Sequence, residues 1–431
     1  MEKPFNLNVL SQEKLESYRL ETDPIADRTI THIIEVGEQE YVSRLFTLLV
    51  QNDTIDENTF DSLGKDLSKV LNEYFTETAK LPSWSNQELL SEGEKVFAEY
   101  GPEIFMLLNM ASLPLCYSCG KGAQVLYDTG RLLSRGKDVD PLARRLMETA
   151  QMVVNVLSPQ GMSGDGHGII TLQKVRLIHA SIRYYLKAGQ HQHEPWNVSK
   201  LGEPINQEDL AGTLMSFGPV ILSGLKQLNI SLSESQKQAY MHCWKVVGYL
   251  MGIKPQLLPD TYEEGFELAT KILAHQAEES IAGKALTSSC IQFINSIVPG
   301  SAFNDVPNFY MEFFLKEYSE SSGKNLGKCI GLENNSDLKD KIVLSVTQFV
   351  LGKINHLEGN SLVQKISEKF NLLLLQGIIH HFNDEKKVHF SIPPSLQKNW
   401  GLLEEWEDHK ALSPNIMGNR LEWQKRKNII D

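Results

Sequence analysis

This chain has no excess of basic residues, few cysteines and no long apolar run, and each shortage removes a class of protein. Its 42 Lys and Arg stand against 54 Asp and Glu, a net charge of −12, with no long basic run. Nucleic acid and anionic membrane surfaces are therefore not expected as general partners. The five cysteines, Cys116, Cys119, Cys243, Cys290 and Cys329, cannot form a disulfide framework in 431 residues, and the odd count fits a reducing compartment. Cys116-Tyr117-Ser118-Cys119 is a CxxC without a second pair to complete a zinc site. No window approaches the roughly 20 apolar residues that span a bilayer, and the best, Phe370 to Ile379, is too short, so no integral membrane segment is expected. Met1 to Asn8 contains no basic stretch leading into an apolar core, which predicts no secretory signal and, by default, a cytoplasmic address. A Gly-Lys-Ser/Thr nucleotide grip and internal repeats are likewise missing.

What is present reads as helix almost throughout. The 41% hydrophobic content can bury a substantial core, as one large domain or as a core with appended helices. Amphipathic patterns cover 11–25 and 38–79, with turns near Asn52-Asp53 and Gly64, and continue over 86–99, 102–112 and 119–134. Asn206 with Asp209 caps a helix expected to run to about Leu228, and Ser231 or Ser233 opens another through Gly252. Further helices are expected over 338–355 and 361–382, and His389 to Ile392 is the main short alternation of period two. The expected class is all-α, with an N-terminal helical extension over 1–80, a core over 81–280 and a C-terminal helical region over 281–431.

Within this pattern, Lys174 to Arg183 concentrates unusual chemistry. On a helix, Leu172, Val175, Ile182 and Leu186 share a side with His179, and so do Arg176 three residues before it and Arg183 four after. A lone histidine on an apolar face reads first as a packed core residue, and arginines at its rim can run their stems over apolar surface to water. A buried arginine, however, needs a carboxylate or phosphate partner. A metal-bearing ligand with acidic groups, such as haem with its two propionates, answers both demands.

A second polar set lies upstream. Asp140 as N-cap and Pro141 at the first helical position start a helix whose apolar stripe is Leu142, Leu146, Val153 and Val156. Arg145 and Thr149 fall inside that stripe, whereas Arg144 and Glu148 point away. The intervening Ser158 to Gly168, with four glycines, reads as a mobile loop that lets the two helices pack side by side.

The order Thr129-Gly130-Arg131-Leu132, Arg145 with Thr149, and Arg176-x-x-His179-x-x-x-Arg183 resembles the catalytic domain shared by latex-clearing rubber oxygenases and MpaB-type oxygenases. Trp196, the run Gly202 to Leu210, Trp244 to Gly252 and Leu257-Leu258-Pro259 agree, so the similarity covers roughly residues 80 to 275. It implies a globin-like haem-binding core, with haem b as cofactor and dioxygen as co-substrate. His179 would be the proximal iron ligand, and Arg176 and Arg183 propionate partners or pocket supports. Arg145 and Thr149 would lie near the distal pocket.

At one position the chain departs from the family. The glutamate proposed as a base in rubber oxygenases would fall at Thr129, with Asp128 the nearest carboxylate and hence the candidate acid-base residue. The substrate implied is an apolar, isoprenoid or lipid-like molecule attacked at a C=C bond, with rubber itself disfavoured by this departure and by the expected absence of an export signal. Two alternatives stand beside the oxygenase: a haem protein that binds a gas without turnover, and a haem-free protein of the same fold whose arginines pair with internal carboxylates. Of the remaining histidines, His242 is a reserve candidate for the pocket, while His167, the His191-Gln192-His193 pair and His380-His381 read as ordinary surface or packing residues.

Overall fold

The computed structural model describes residues 5–51, 54–133, 141–163, 166–189, 195–297 and 306–332. The expected helices at 338–355 and 361–382, the alternation at 389–392, His191, His193, His380 and His381 lie outside them. Among the described residues the architecture is all helical, with a single isolated bridge between Cys119 and Ala277. No described helix is long and apolar enough to cross a membrane.

The chain opens with α1 (Gln12–Tyr18), capped by Ser11, whose hydroxyl accepts from the Lys14 amide. The pattern expected to continue to residue 25 breaks at 19–23, because Asp23-Pro24 starts a new helix: the residue before proline is pushed out of helical geometry, and proline suits the first helical position. That helix is α2 (Pro24–Gln51), followed by α3 (Lys65–Thr78) and α4 (Gln87–Leu107). α4 kinks at Tyr100, two residues before Pro102, and passes through a π-helical turn, Leu108–Ser112, into α5 (Leu113–Ser118). Then come α6 (Gly120–Leu133), α7 (Pro141–Leu157), α8 (His167–Ala188) and the short α9 (Val198–Leu201). The single helix expected from Asn206 to Leu228 is two, α10 (Gln207–Phe217) and α11 (Pro219–Gln227), split by Gly218-Pro219. Ser233 forms a capping box with Gln236 at the start of α12 (Glu234–Leu250), and α13 (Tyr262–Gln276), α14 (Ile281–Ile297), α15 (Val306–Ser322) and α16 (Leu326–Cys329) complete the described fold.

Two main apolar cores result, with α8 between them. The larger gathers residues such as Phe97, Phe105, Ile221, Trp244 and Leu268, and takes Leu172 from α8. The second is built on α2 and α3, with Ile30, Leu45, Leu71 and Phe75, and takes Leu177 and Ala180 from α8. Polar contacts reinforce the second: the Tyr74 hydroxyl donates to the Gln173 carbonyl at 2.8 Å, and the Gln173 amide donates to the Phe75 carbonyl and the Thr78 hydroxyl, both at 2.7 Å.

The connection between α7 and α8, expected to be mobile, is a compact turn in its described part. The amides of Gly161, Gly166 and Gly168 donate to the carbonyls of Ser158, Ser163 and Gly161 at 2.7, 3.0 and 2.8 Å. A Cβ on Gly161 would lie 2.3 Å from the Asn155 carbonyl oxygen, so close backbone approach is the reason for that glycine. The buried Glu94 carboxylate accepts from the Gln160 amide at 3.0 Å, while its other oxygen has no partner.

Burial raises the Glu94 pKa above the ordinary carboxylate range, only partly opposed by the Gln160 bond. A carboxyl with a raised folded pKa contributes stability below its unfolded pKa that is lost as pH rises through the folded value. Glu94→Gln should therefore be the more stable protein at pH 7, by on the order of 1 kcal/mol, with the difference shrinking toward pH 4. Urea unfolding across that range checks this; a variant less stable than the parent at pH 7 would contradict it.

Candidate functional site

Helices α7 and α8 form an antiparallel hairpin whose register is pinned by the Asn155 amide donating to the Thr171 hydroxyl at 2.9 Å. Counting 6 residues back from Asn155 to Thr149 and 8 forward from Thr171 to His179 gives rises of about 9 and about 12 Å. Thr149 and His179 thus lie within one helical turn of the same level, and Arg145 on α7 lies one turn further along, toward the level of Arg183. The Arg145 side chain is outside the described residues. Thr149 is half-buried, Glu148 is exposed, and Val153 and Val156 are buried, as the stripe predicts.

His179 lies deep in the protein but is not sealed: it is half-buried rather than fully covered, as are Val175 and Ile182 on the same face. Burial first, and the Arg183 charge second, lower its pKa to about 3, with Asp23 opposing. No hydrogen bond to a described residue contributes. The ring is neutral at physiological pH and its nitrogens bond no described residue, the state a metal requires of an imidazole.

The flanking arginines find carboxylates that the sequence pattern did not reveal. Arg176 pairs with Asp23 through Nε–Oδ2 at 2.7 Å and Nη2–Oδ1 at 2.8 Å, and Nη1 donates to the Leu250 carbonyl at 3.0 Å. Both side chains are 5% exposed. Burial opposes the Arg176 charge, but Asp23 more than offsets it, and the pKa is raised. Gly252, at φ +78°, leaves room for this pair: a Cβ there would sit 2.8 Å from Arg176 Nη2 and 2.9 Å from Asp23 Oδ2. Arg183 pairs with Asp27 through Nε–Oδ1 at 2.7 Å and donates from Nη1 to the Ile205 carbonyl at 3.2 Å. Its Nη2 is buried without a partner among the described residues. Asp23 and Asp27 are the N-cap residue of α2 and its fourth residue, so one turn of helix supplies both carboxylates.

A second ionic cluster anchors the same N-terminal stretch. Arg19, with a fully buried side chain, donates to Asp209 at 2.7 Å and to the Leu201 carbonyl at 2.6 Å, and lies 3.5 Å from Glu208. Glu208 in turn meets His275 Nδ1 at 2.7 Å and accepts from Gln276 at 2.8 Å. The Gln207 amide nitrogen donates to the Thr22 and Gly252 carbonyls, both at 2.9 Å, joining the start of α2 to the end of α12.

The remaining candidates take local roles. Asp128, half-buried on α6, accepts from Gln124 Nε2 at 2.8 Å, and the buried Thr129 hydroxyl donates to the Val125 carbonyl at 2.7 Å. His242 Nε2 accepts from the Asn86 amide at 3.0 Å beside Trp84, a packing role that caps the approach to α4. His167 is exposed at the first position of α8. Burial raises the thiols of Cys116 and Cys119 above the usual range, which makes them weak nucleophiles.

These features define an all-helical protein with a neutral histidine, bonded to no described residue, set between two carboxylate-paired arginines. Residues 123–303 match the family model described as ER-bound oxygenase mpaB/B'/Rubber oxygenase, catalytic domain. The rubber oxygenase of Streptomyces sp. (strain K30) is 23% identical over 284 residues, a match spanning 64% of this chain and 64% of that relative. The solved structure of latex clearing protein LCP in the closed state shares the fold, with a TM-score of 0.64 at 18% identity, over 87% of this chain and 95% of that one. The matched catalytic segment begins later than the 80–275 read from the motifs and runs further, and Arg19, Asp23 and Asp27 lie outside it.

Proposed function

We propose that this protein is a haem b-dependent oxygenase that acts, with dioxygen as co-substrate, on a C=C bond of an apolar, isoprenoid or lipid-like substrate. The observation that carries the reading is His179, a neutral imidazole bonded to no described residue, deep inside the segment that matches an oxygenase catalytic domain. The residues fit a haem: His179 would hold the iron, and the unpartnered Arg183 Nη2 is a donor available to a propionate. Arg176, with its donors already engaged, acts as a pocket support rather than a propionate partner. The haem iron, when bound, supplies the centre at which dioxygen is activated.

The chain's own residues supply the surroundings. Thr149 and Arg145, at the level of His179 and Arg183, orient dioxygen or substrate. Half-buried Leu146, Met152, Val175 and Ile182 on the two helices offer an apolar wall, which favours an apolar substrate and excludes water. Asp128 is the candidate acid-base residue, held by Gln124. A cytoplasmic address fits the five free cysteines. Asp23 and Asp27 favour a second reading, a haem-free protein, because they already balance both arginines; a histidine left neutral and bonded to no described residue argues for the first.

Titration with hemin is the test. The full chain should develop a Soret band that His179→Ala abolishes with its circular dichroism intact. Oxygen uptake with unsaturated isoprenoids should fall about 10²-fold in Thr149→Ala and Arg145→Ala while the Soret band persists. A chain that takes up no haem refutes the proposal.

A further inference from the structure

The carboxylates of the two ion pairs beside His179 come from outside the matched catalytic segment, and both sit at the first turn of α2. Three facts make them more than surface pairing. Asp23 grips Arg176 with both oxygens, in a buried site whose roof is kept open by Gly252. Asp27 takes only Nε of Arg183, leaving Nη2 buried and unpaired. The two arginines bracket the histidine on its own helix, three residues before and four after, so charge removed from either pair acts on the ring at helical-neighbour range.

Resting on the haem reading above, we propose that Asp23 and Asp27 are positioning residues of the His179 centre. They fix each guanidinium in place and cancel its charge, so that a group held by His179 meets a locally neutral surround with one free donor, Arg183 Nη2. The chemistry follows from low-dielectric electrostatics. A buried positive charge that loses its counter-ion favours the more reduced, less positive state of a nearby iron, and charge just beyond the ligands is one of the levers that set its potential. The N-terminal helix is then part of the redox centre, not an appendage to it.

Asp27→Asn isolates the charge, because the amide oxygen can still accept from Arg183 Nε. Asp23→Asn does the same for Arg176, and Asp27→Glu restores the charge at position 27. The midpoint potential of the hemin-loaded full chain, measured by spectroelectrochemistry, should rise in both asparagine variants and return toward the parent value in Asp27→Glu. Glu279→Gln, at an exposed carboxylate paired with Lys284 and Lys328, serves as the control and should leave it unchanged. Melting of each haem-free variant reports folding separately, and Asp27, whose side chain is 28% exposed, is the milder site. Potentials unmoved in both asparagine variants, or moved equally by Glu279→Gln, overturn the positioning role while leaving the haem reading intact. A parent chain with no Soret band defeats both.

Discussion

Asp23→Ala should cost about 3–5 kcal/mol of stability, the range for removing one partner of a buried ion pair. The side chain does three things at once. It neutralises Arg176, whose guanidinium is buried; it accepts two charge-assisted bonds; and it caps α2, where its Oδ1 lies 3.4 Å from the Ala26 amide. Truncation leaves the guanidinium with only the Leu250 carbonyl and the helix without its cap. Asp23→Asn, which keeps an acceptor, should lose less. Replacing both partners by apolar residues, Asp23→Leu with Arg176→Met, should recover most of the loss, because no buried charge then remains. Urea denaturation of the parent and these three variants reads the series; an Asp23→Ala loss below about 1 kcal/mol would show that water reaches the arginine.

Arg19→Ala belongs to the same range, about 3–5 kcal/mol, for a related reason. The Glu208 side chain is fully buried, and Arg19 is the guanidinium facing it and Asp209. Burial opposes the Arg19 charge, but Asp209 and Glu208 more than offset it, so the pKa is raised. Without Arg19, two neighbouring carboxylates keep His275, Gln276 and the Asn206 amide but lose their strongest counter-charge. Adding Glu208→Gln to Arg19→Ala should relieve part of the penalty, and a double mutant no more stable than the single would place the effect in lost packing instead. Since Arg19 also donates to the Leu201 carbonyl, the variant should free the 195–206 region to faster amide exchange.

The helical class and most boundaries were legible because they follow from local rules: periodicity, caps and proline; the level of Thr149 relative to His179 needed the Asn155–Thr171 contact. Asn206 with Asp209 announced one helix and Ser231 or Ser233 another; Asn206 and Ser233 are the observed caps. Two signals of the same kind were passed over. Asp23-Pro24 carries the same N-cap and first-position pattern as Asp140-Pro141, and Gly218-Pro219 divides what periodicity alone joins. The missed break mattered most, since it hides where the carboxylates come from. The charge problem of the two arginines was visible, but its answer lies 153 and 156 residues away in sequence, a separation at which no spacing rule operates. The glycine-rich turn misled for the opposite reason: composition suggests freedom, whereas Gly161, Gly166 and Gly168 are there because backbone carbonyls crowd the positions their side chains would fill.

Helix α8 stands as a wall shared by two cores, with Leu172 on one side and Leu177 and Ala180 on the other. A shift of α8 toward either core would overpack that side and open a void on the other, and close-packed interiors resist both. The position of His179 is thereby set from two directions at once, like a beam bearing on both of its faces. Such a mounting favours a reaction that needs a fixed reference point over one that needs the ligand-bearing helix to travel.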